Sequence, residues 1–325
     1  MIIIVAHHFA YGENFNFPTD SITLNRLWIQ LINMGGKLGV NLFVLISGYF
    51  LIKSDGIKTR KLVGMWLAML FYSLAAYTAS VISGAELLSP VRALYAFMPL
   101  TKSGWWFMEV YFMLYLLHPY LNITLRNLNK SQYEKMLLIL GGCWSVVPTL
   151  TNLYLASSTL LWFMYLYSIS GYIRLWADDF GSKNFIWLSV IMILLNFVLV
   201  IIFDVVGFKV RMFVEHPLHL YNMQMLPMLV IPVCMFIGFK HINISHSRII
   251  NLIASATLGV YLLHENRIIK PFLWREIFRT SNFQDSPYLI PYSIAATFIV
   301  YISCTIIELL RSATFRALSR GRLSY

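Results

Sequence analysis

The chain has 325 residues, of which 58% are hydrophobic and only 12% charged, and its mean hydropathy is +0.68. So few polar residues cannot coat a water-soluble globule of this length, which excludes a soluble enzyme or binding module. The formal net charge of +11 lies in short clusters between apolar runs and not along an aromatic-interleaved stripe. This distribution argues against a nucleic-acid partner.

Ten apolar runs predict an all-α, polytopic membrane protein with about ten transmembrane helices in one bundle. The runs are 1–11, 36–53, 61–83, 105–124, 135–154, 158–176, 185–204, 222–240, 249–266 and 288–310. No Pro/Gly/Ser-rich linker divides them, so we expect a single domain over residues 1–325. The first run gives only ~16 Å of helix, about half a bilayer, so we expect the natural product to begin upstream of Met1.

The distribution of Lys and Arg predicts the topology. With the N-terminus inside, 15 of these residues fall in short cytoplasmic segments and 10 in longer outer segments. The positive-inside rule therefore places both termini in the cytoplasm. The cysteines Cys143, Cys234 and Cys304 each lie in an apolar run without paired spacing. Neither a disulfide framework nor a metal site is predicted from them.

Polar side chains inside the spans are candidates for function because a bilayer disfavours them. Those predicted near the outer face are His7, His8, Glu13, Glu109, His264 and Glu265. Those predicted near the inner face are Ser47 and an inner basic group formed by Lys53, Lys58, Arg60 and Lys61. A histidine/carboxylate layer above an anion-binding group indicates an acid/base site supplied from the cytoplasm by a phosphorylated donor.

Each of these patterns also has a purely structural interpretation. His7 and His264 are compatible with ordinary interfacial residues at helix ends. The inner basic group is compatible with positive-inside signals and membrane lipid headgroup contacts. Trp105, Trp106 and Tyr111 are compatible with an aromatic belt.

Four segments carry a resemblance to a known family. They are IIIVAHHF (2–9), LGVNLFVLISGYFL (38–51), WWFMEVYFMLYLLHPYLN (105–122) and LGVYLLHEN (258–266). In order and spacing they resemble the acyltransferase 3 family of membrane O-acyltransferases, in particular bacterial exopolysaccharide and capsule O-acetyltransferases. The family pattern also has an arginine that would fall three positions before Met1 if His8 is the matching histidine, and four if His7 is.

The resemblance implies roles for residues of this sequence. His8 corresponds to the catalytic histidine, and His7, Glu13 and His264 are the further candidate catalytic residues. Arg60 and Lys61, with Lys58, correspond to residues that contact coenzyme A phosphates. Ser47 and Gly48 would shape the packing of the second span near the donor channel. The residues expected to line the cavity are Trp106, Glu109, Tyr111, His264 and Glu265.

The implied reaction is transfer of an acetyl group from acetyl-coenzyme A to a hydroxyl of a cell-surface or lipid-linked polysaccharide, in a bacterial plasma membrane. His8 would act as general base or form a transient acetyl-histidine. The main alternative is a transporter or flippase for a glycan intermediate, which also needs intramembrane polar groups. A glycan polymerase and a non-catalytic assembly protein are further alternatives.

Overall fold

The computed structural model of the protein is helical throughout its described part. That part comprises residues 1–11, 15–18, 21–102, 104–207 and 218–320, and no β-strand occurs in these ranges. It divides into two compact units. The first unit comprises Met1–Asn16, Val63–Trp106 and Ile244–Tyr325, and the second Phe17–Leu62 and Phe107–Asn243. The expectation of one domain over residues 1–325 stays a prediction.

The helices follow one another with short connections. In chain order they are α1 (Ile2–Tyr11), α2 (Leu24–Leu51), α3 (Thr59–Ile82), α4 (Pro90–Ala96), α5 (Pro99–Lys102), α6 (Trp106–Asn127), α7 (Lys130–Gly141), α8 (Val147–Thr151), α9 (Thr159–Trp176), α10 (Phe185–Gly207), α11 (Leu226–Lys240), α12 (Arg248–Ser255), α13 (Thr257–His264), α14 (Ile269–Pro271) and α15 (Leu289–Arg320). Short π or 3₁₀ segments cover Gly142–Val146, His219–Tyr221, Phe272–Ile277 and Thr280–Phe283.

Side chains at the helix N-termini explain where several helices begin. The hydroxyl of Thr23 accepts the backbone N–H of Arg26 at 3.2 Å at the start of α2. Asn129 and Gln132 form a reciprocal capping box at the start of α7. Such caps satisfy backbone donors that the first helical turn leaves without a partner.

Within the described residues, five helical segments are long and apolar enough to cross a membrane. They are Leu24–Leu51, Thr59–Ile82, Phe185–Gly207, His219–Lys240 and Leu289–Ala317. This finding confirms an all-helical chain with several candidate membrane spans, whereas the number of about ten spans stays a prediction. The sequence predicted a start of α2 near residue 36, but the helix begins at Leu24. Its first turns carry polar side chains, and these side chains bond a partner within the protein. Arg26 and Gln30 both bond the carboxylate of Asp204, at 2.6 and 2.8 Å.

Within the second unit, α2 packs against α9 and α11. Gly48 permits the close approach to α9, because a Cβ at this position would lie 3.0 Å from the Cα of Tyr167. The buried amide of Asn41, in the GVN part of the 38–51 segment, donates to the carbonyls of Met223 and Met228 and accepts from Trp162. All of its bonds serve packing, so Asn41 is structural.

Within the first unit, α15 packs against both α1 and α13. Gly259 of α13 permits this approach, because a Cβ there would overlap the carboxylate of Glu308 on α15. Phe9 of α1 meets Trp274 edge to face, with ring centroids 5.8 Å apart. These contacts fix the ends of α1 and α13, where the candidate histidines lie.

Candidate functional site

Two histidines from opposite ends of the chain meet in the first unit. His8 lies in the last turn of α1 and His264 is the last residue of α13. Their rings are joined by a hydrogen bond of 2.9 Å between His8 Nδ1 and His264 Nε2. Both are buried, with 8% and 0% of their surface exposed. Two buried imidazole rings joined by a hydrogen bond mark this position as a candidate functional site.

The backbone of α13 determines the direction of this hydrogen bond. His264 Nδ1 lies 2.5 Å from the carbonyl oxygen of Val260, which can only accept. Nδ1 therefore carries the hydrogen, and neutral His264 offers the lone pair of Nε2. It follows that His8 Nδ1 donates to His264, which leaves His8 Nε2 as the nitrogen that gains or loses a proton.

A carboxylate faces that nitrogen. Glu265 Oε2 lies 3.1 Å from His8 Nε2, and Oε1 lies 2.7 Å from the ammonium group of Lys270. A carboxylate at this distance stabilises the imidazolium that forms when His8 Nε2 takes up a proton. His8, His264 and Glu265 are called the histidine–glutamate cluster below.

The other residues predicted near the outer face lie in different surroundings. His7 is buried and its ring stacks on Tyr11, 5.4 Å away and 10° from parallel. The contacts to His264 and Glu265 are those of His8, and the choice of His8 over His7 stays a prediction. Glu13 lies outside the described residues. Glu109 was expected to be enclosed among apolar residues, but it is exposed in the first turn of α6. The positive end of the helix dipole favours a carboxylate at that position.

The histidine–glutamate cluster also has the composition of a metal site. One ligand atom from each residue lies within 4.8 Å of the others. The ammonium group of Lys270, 2.7 Å from Glu265, adds positive charge that opposes a cation. The expectation of no metal stays a prediction.

The predicted inner residues lie in the second unit or at its edge. Lys58, Arg60 and Lys61 are exposed around the start of α3. Tyr115 of α6 contacts two of them. Its hydroxyl accepts the backbone N–H of Lys58 at 3.3 Å, and its ring centroid lies 5.1 Å from Lys61 Nζ. Exposed cations around an aromatic ring are suited to bind an anionic ligand.

Among the predicted cavity residues, the hydroxyl of buried Tyr111 donates to Ser47 Oγ at 3.3 Å. This bond brings two predicted residues together in the second unit. Trp106 is 37% exposed, whereas its neighbour Trp105 is 2% exposed. Trp105, which precedes α6, is therefore the enclosed indole of the WW pair.

Lys270 contacts the candidate site but was not identified from the sequence, where it was counted only as an outer-loop charge. Its ammonium group bonds Glu265 and lies 5.8 Å from the ring centroid of Tyr11. The available signal was its position, five residues after the glutamate, where the chain turns at the end of α13. A lysine so close to an intramembrane carboxylate is a natural partner for it.

The sequence was compared with known proteins. A sequence profile of the acyltransferase 3 family, described as an acyltransferase domain, matches residues 1–308. No curated protein and no solved structure shows a significant match. The profile match extends over the four segments and over the histidine–glutamate cluster. The chain therefore belongs to the acyltransferase 3 family and is a membrane acyltransferase.

Proposed function

We propose that this membrane acyltransferase transfers an acetyl group from cytoplasmic acetyl-coenzyme A to a hydroxyl of a cell-surface or lipid-linked polysaccharide. The observation that carries the proposal is the contact of His8 Nε2 with Glu265, together with the bond from His8 Nδ1 to His264. A buried imidazole held in one tautomer beside a carboxylate is suited to accept a proton from a hydroxyl.

In the proposed step, the acceptor oxygen attacks the thioester carbonyl carbon and its proton passes to His8 Nε2. The new C–O bond forms, the C–S bond breaks, and the departing thiolate takes the proton back from His8. Glu265 stabilises the imidazolium, while His264 fixes the orientation of the ring. General base catalysis of this kind contributes roughly 10²–10⁴-fold in rate.

A transient acetyl-histidine is the alternative route. It requires the acyl group to attach at His8 Nε2, where Glu265 Oε2 lies 3.1 Å away. An acyl group on Nε2 would lie against this carboxylate, so the two groups would have to separate. The described contacts therefore favour general base catalysis over acylation of the histidine.

The donor proposal is supported by the inner basic group. Lys58, Arg60 and Lys61 are exposed around the start of α3, as phosphate-binding cations must be, and Lys61 Nζ lies 5.1 Å from the centroid of the Tyr115 ring. Coenzyme A is a multiply charged molecule that does not cross a hydrocarbon core freely. Its phosphates would dock on these residues from the cytoplasm. We propose a bacterial plasma membrane location with both termini cytoplasmic, on the basis of the charge distribution.

The test is glycan acetylation in cells that lack the gene. Wild type and His246→Gln should restore O-acetyl groups on the surface polysaccharide, measured by mass spectrometry, whereas His8→Gln should not. His246 is an exposed histidine that bonds Asn251, so it controls for the loss of an imidazole. Unchanged acetylation in the deletion strain would contradict the polysaccharide acceptor. A glycan intermediate that accumulates without loss of O-acetyl groups would favour the flippase alternative.

A further inference from the structure

Helix α6 holds the turn that joins α2 to α3. The amide of Asn122 donates to the carbonyls of Leu51 and Ser54 at 2.8 and 2.9 Å. Arg126 Nε donates to the carbonyl of Ile52 at 2.7 Å. Carbonyls at a helix C-terminus lack partners within the helix. Side chains of α6 supply those partners here, so the turn that leads to Lys58 and Lys61 is fixed.

His118 stands one turn earlier on the same face of α6, since residues four apart share a face. It is 0% exposed. Its Nδ1 lies 2.6 Å from the carbonyl oxygen of Tyr115, so Nδ1 carries the hydrogen. Its Nε2 is buried and forms no hydrogen bond of normal geometry within the described part of the chain, although the backbone of Gly56 in the turn interacts with the ring. Asn122 and Arg126 bond the turn with their polar groups, whereas Nε2 of His118 forms no such bond.

Tyr115 connects His118 to the inner basic group. The Tyr115 ring centroid lies 5.0 Å from that of His118 and 5.1 Å from Lys61 Nζ. Lys61 is the charged group whose field reaches the imidazole. On the turn, Asp55 is paired with Arg126 at 2.9 Å, and Lys58 bonds the Tyr115 hydroxyl through its backbone. The surroundings of His118 Nε2 are therefore dominated by positive charge.

A buried ring nitrogen without a hydrogen bond of normal geometry is unfavourable, and a second N–H beside Lys61 would be worse unless a stronger acceptor than the Gly56 backbone arrived. A phosphate oxygen supplies both the acceptor and the negative charge. We infer that His118 is a further donor-binding residue, which takes up a proton and donates from Nε2 to a phosphate oxygen of the bound donor. This inference rests on the proposed coenzyme A donor and adds proton uptake to its binding.

Calorimetry with purified protein and coenzyme A tests the inference. Titrations at one pH in buffers of different ionisation enthalpy give both the dissociation constant and the number of protons taken up. Wild type and His246→Gln should bind with proton uptake. His118→Gln keeps the reach of the side chain but cannot become charged. It should bind about tenfold or more weakly and take up fewer protons. His118→Asn, which retains a donor near Nδ1, serves if the glutamine variant does not fold.

The outcomes separate the inference from the function on which it rests. If the His118 variants bind coenzyme A with wild-type affinity and proton uptake, the inference is overturned while the donor proposal stands. If wild type binds no coenzyme A, the donor proposal itself is wrong, and the inference is overturned with it. Weaker binding with unchanged proton uptake would overturn the charged role of His118.

Discussion

Two regions of the first unit each bury a carboxylate, and their partners differ in kind. Glu308 of α15 accepts two bonds from Arg311, both at 2.7 Å, one from Tyr72 at 2.5 Å and one from Ser312 at 2.9 Å. Glu265, after α13, contacts Lys270 and His8. The first set consists of donors that keep their hydrogens at physiological pH, whereas the second includes an imidazole.

The difference indicates which carboxylate can take part in chemistry. Four bonds from fixed donors saturate Glu308 and hold it ionised, so its role is to join α3 and α15 and to support Gly259. Glu265 shares its environment with a proton that His8 can release or accept. Burial alone therefore does not distinguish these two carboxylates, whereas the imidazole in contact with Glu265 does.

The largest expected effect comes from removing that titratable partner. His8→Ala should lower acetyl transfer roughly 10²–10⁴-fold, the usual contribution of a general base. His7→Ala should be milder, because the His7 ring lies against Tyr11. Transfer to the polysaccharide, normalised to the amount of protein in the membrane, measures both. Equal activity of the two variants would contradict a catalytic role for His8.

Removal of the saturated carboxylate should damage folding more than chemistry. Glu308→Ala leaves Arg311 buried without its partner, and breaking such a pair costs about 3–5 kcal/mol. We expect low yield and early thermal unfolding in detergent. Glu265→Gln should unfold near the wild-type temperature, because the amide preserves size and shape. The comparison fails if Glu308→Ala is as stable as wild type.

A smaller effect is expected at the contact between α13 and α15. Gly259→Ala places a methyl group against the Glu308 carboxylate, and overpacking of this kind costs about 1–3 kcal/mol. Since α13 ends at His264, transfer activity should fall as well. Gly64→Ala is the matched control, because nothing lies within 4 Å of a Cβ there. Stability and activity of both variants, measured side by side, should differ only for Gly259.

The smallest effect concerns a carboxylate in the second unit, in the loop after α9. Burial alone would raise the pKa of Asp178, but the Tyr49 hydroxyl and the charges of Arg174 and Lys240 lower it. A pKa lowered by folding adds stability above the unfolded value of about 3.9, and the gain disappears as the pH falls through the folded pKa.

For this half-exposed pair the gain is below about 1 kcal/mol. Thermal unfolding of wild type and Asp178→Asn should therefore differ slightly at pH 7 and converge below about pH 4. Asp179→Asn, at the exposed neighbouring position, should match wild type at both. A difference that persists at low pH would contradict the ion-pair explanation.

Composition and apolar runs were sufficient to predict the helical membrane fold, because lipid-facing helices must be apolar along most of their length. They placed the start of α2 too late, since Arg26 and Gln30 resemble loop residues until their partner Asp204 is known. That partner lies far along the chain, so no local pattern reveals it.

The sequence likewise indicated individual residues of the candidate site but not their contacts. His8 and His264 stand out as polar residues at the ends of apolar helices. Their mutual contact joins positions 256 residues apart, a pairing that only folding creates. Glu265 was expected to line the cavity, but it faces the His8 ring. Glu109 was expected to be enclosed, but a position in the first helical turn leaves it exposed.

The most direct test of the central claim is release of thiol from acetyl-coenzyme A by purified protein in nanodiscs, with wild type and Glu265→Gln compared at saturating donor. The account predicts that the variant unfolds at the wild-type temperature but releases thiol at least about 10²-fold more slowly, since the charge that stabilises protonated His8 is gone. Thiol release by Glu265→Gln at the wild-type rate would contradict the assignment of the histidine–glutamate cluster as the acyl-transfer site.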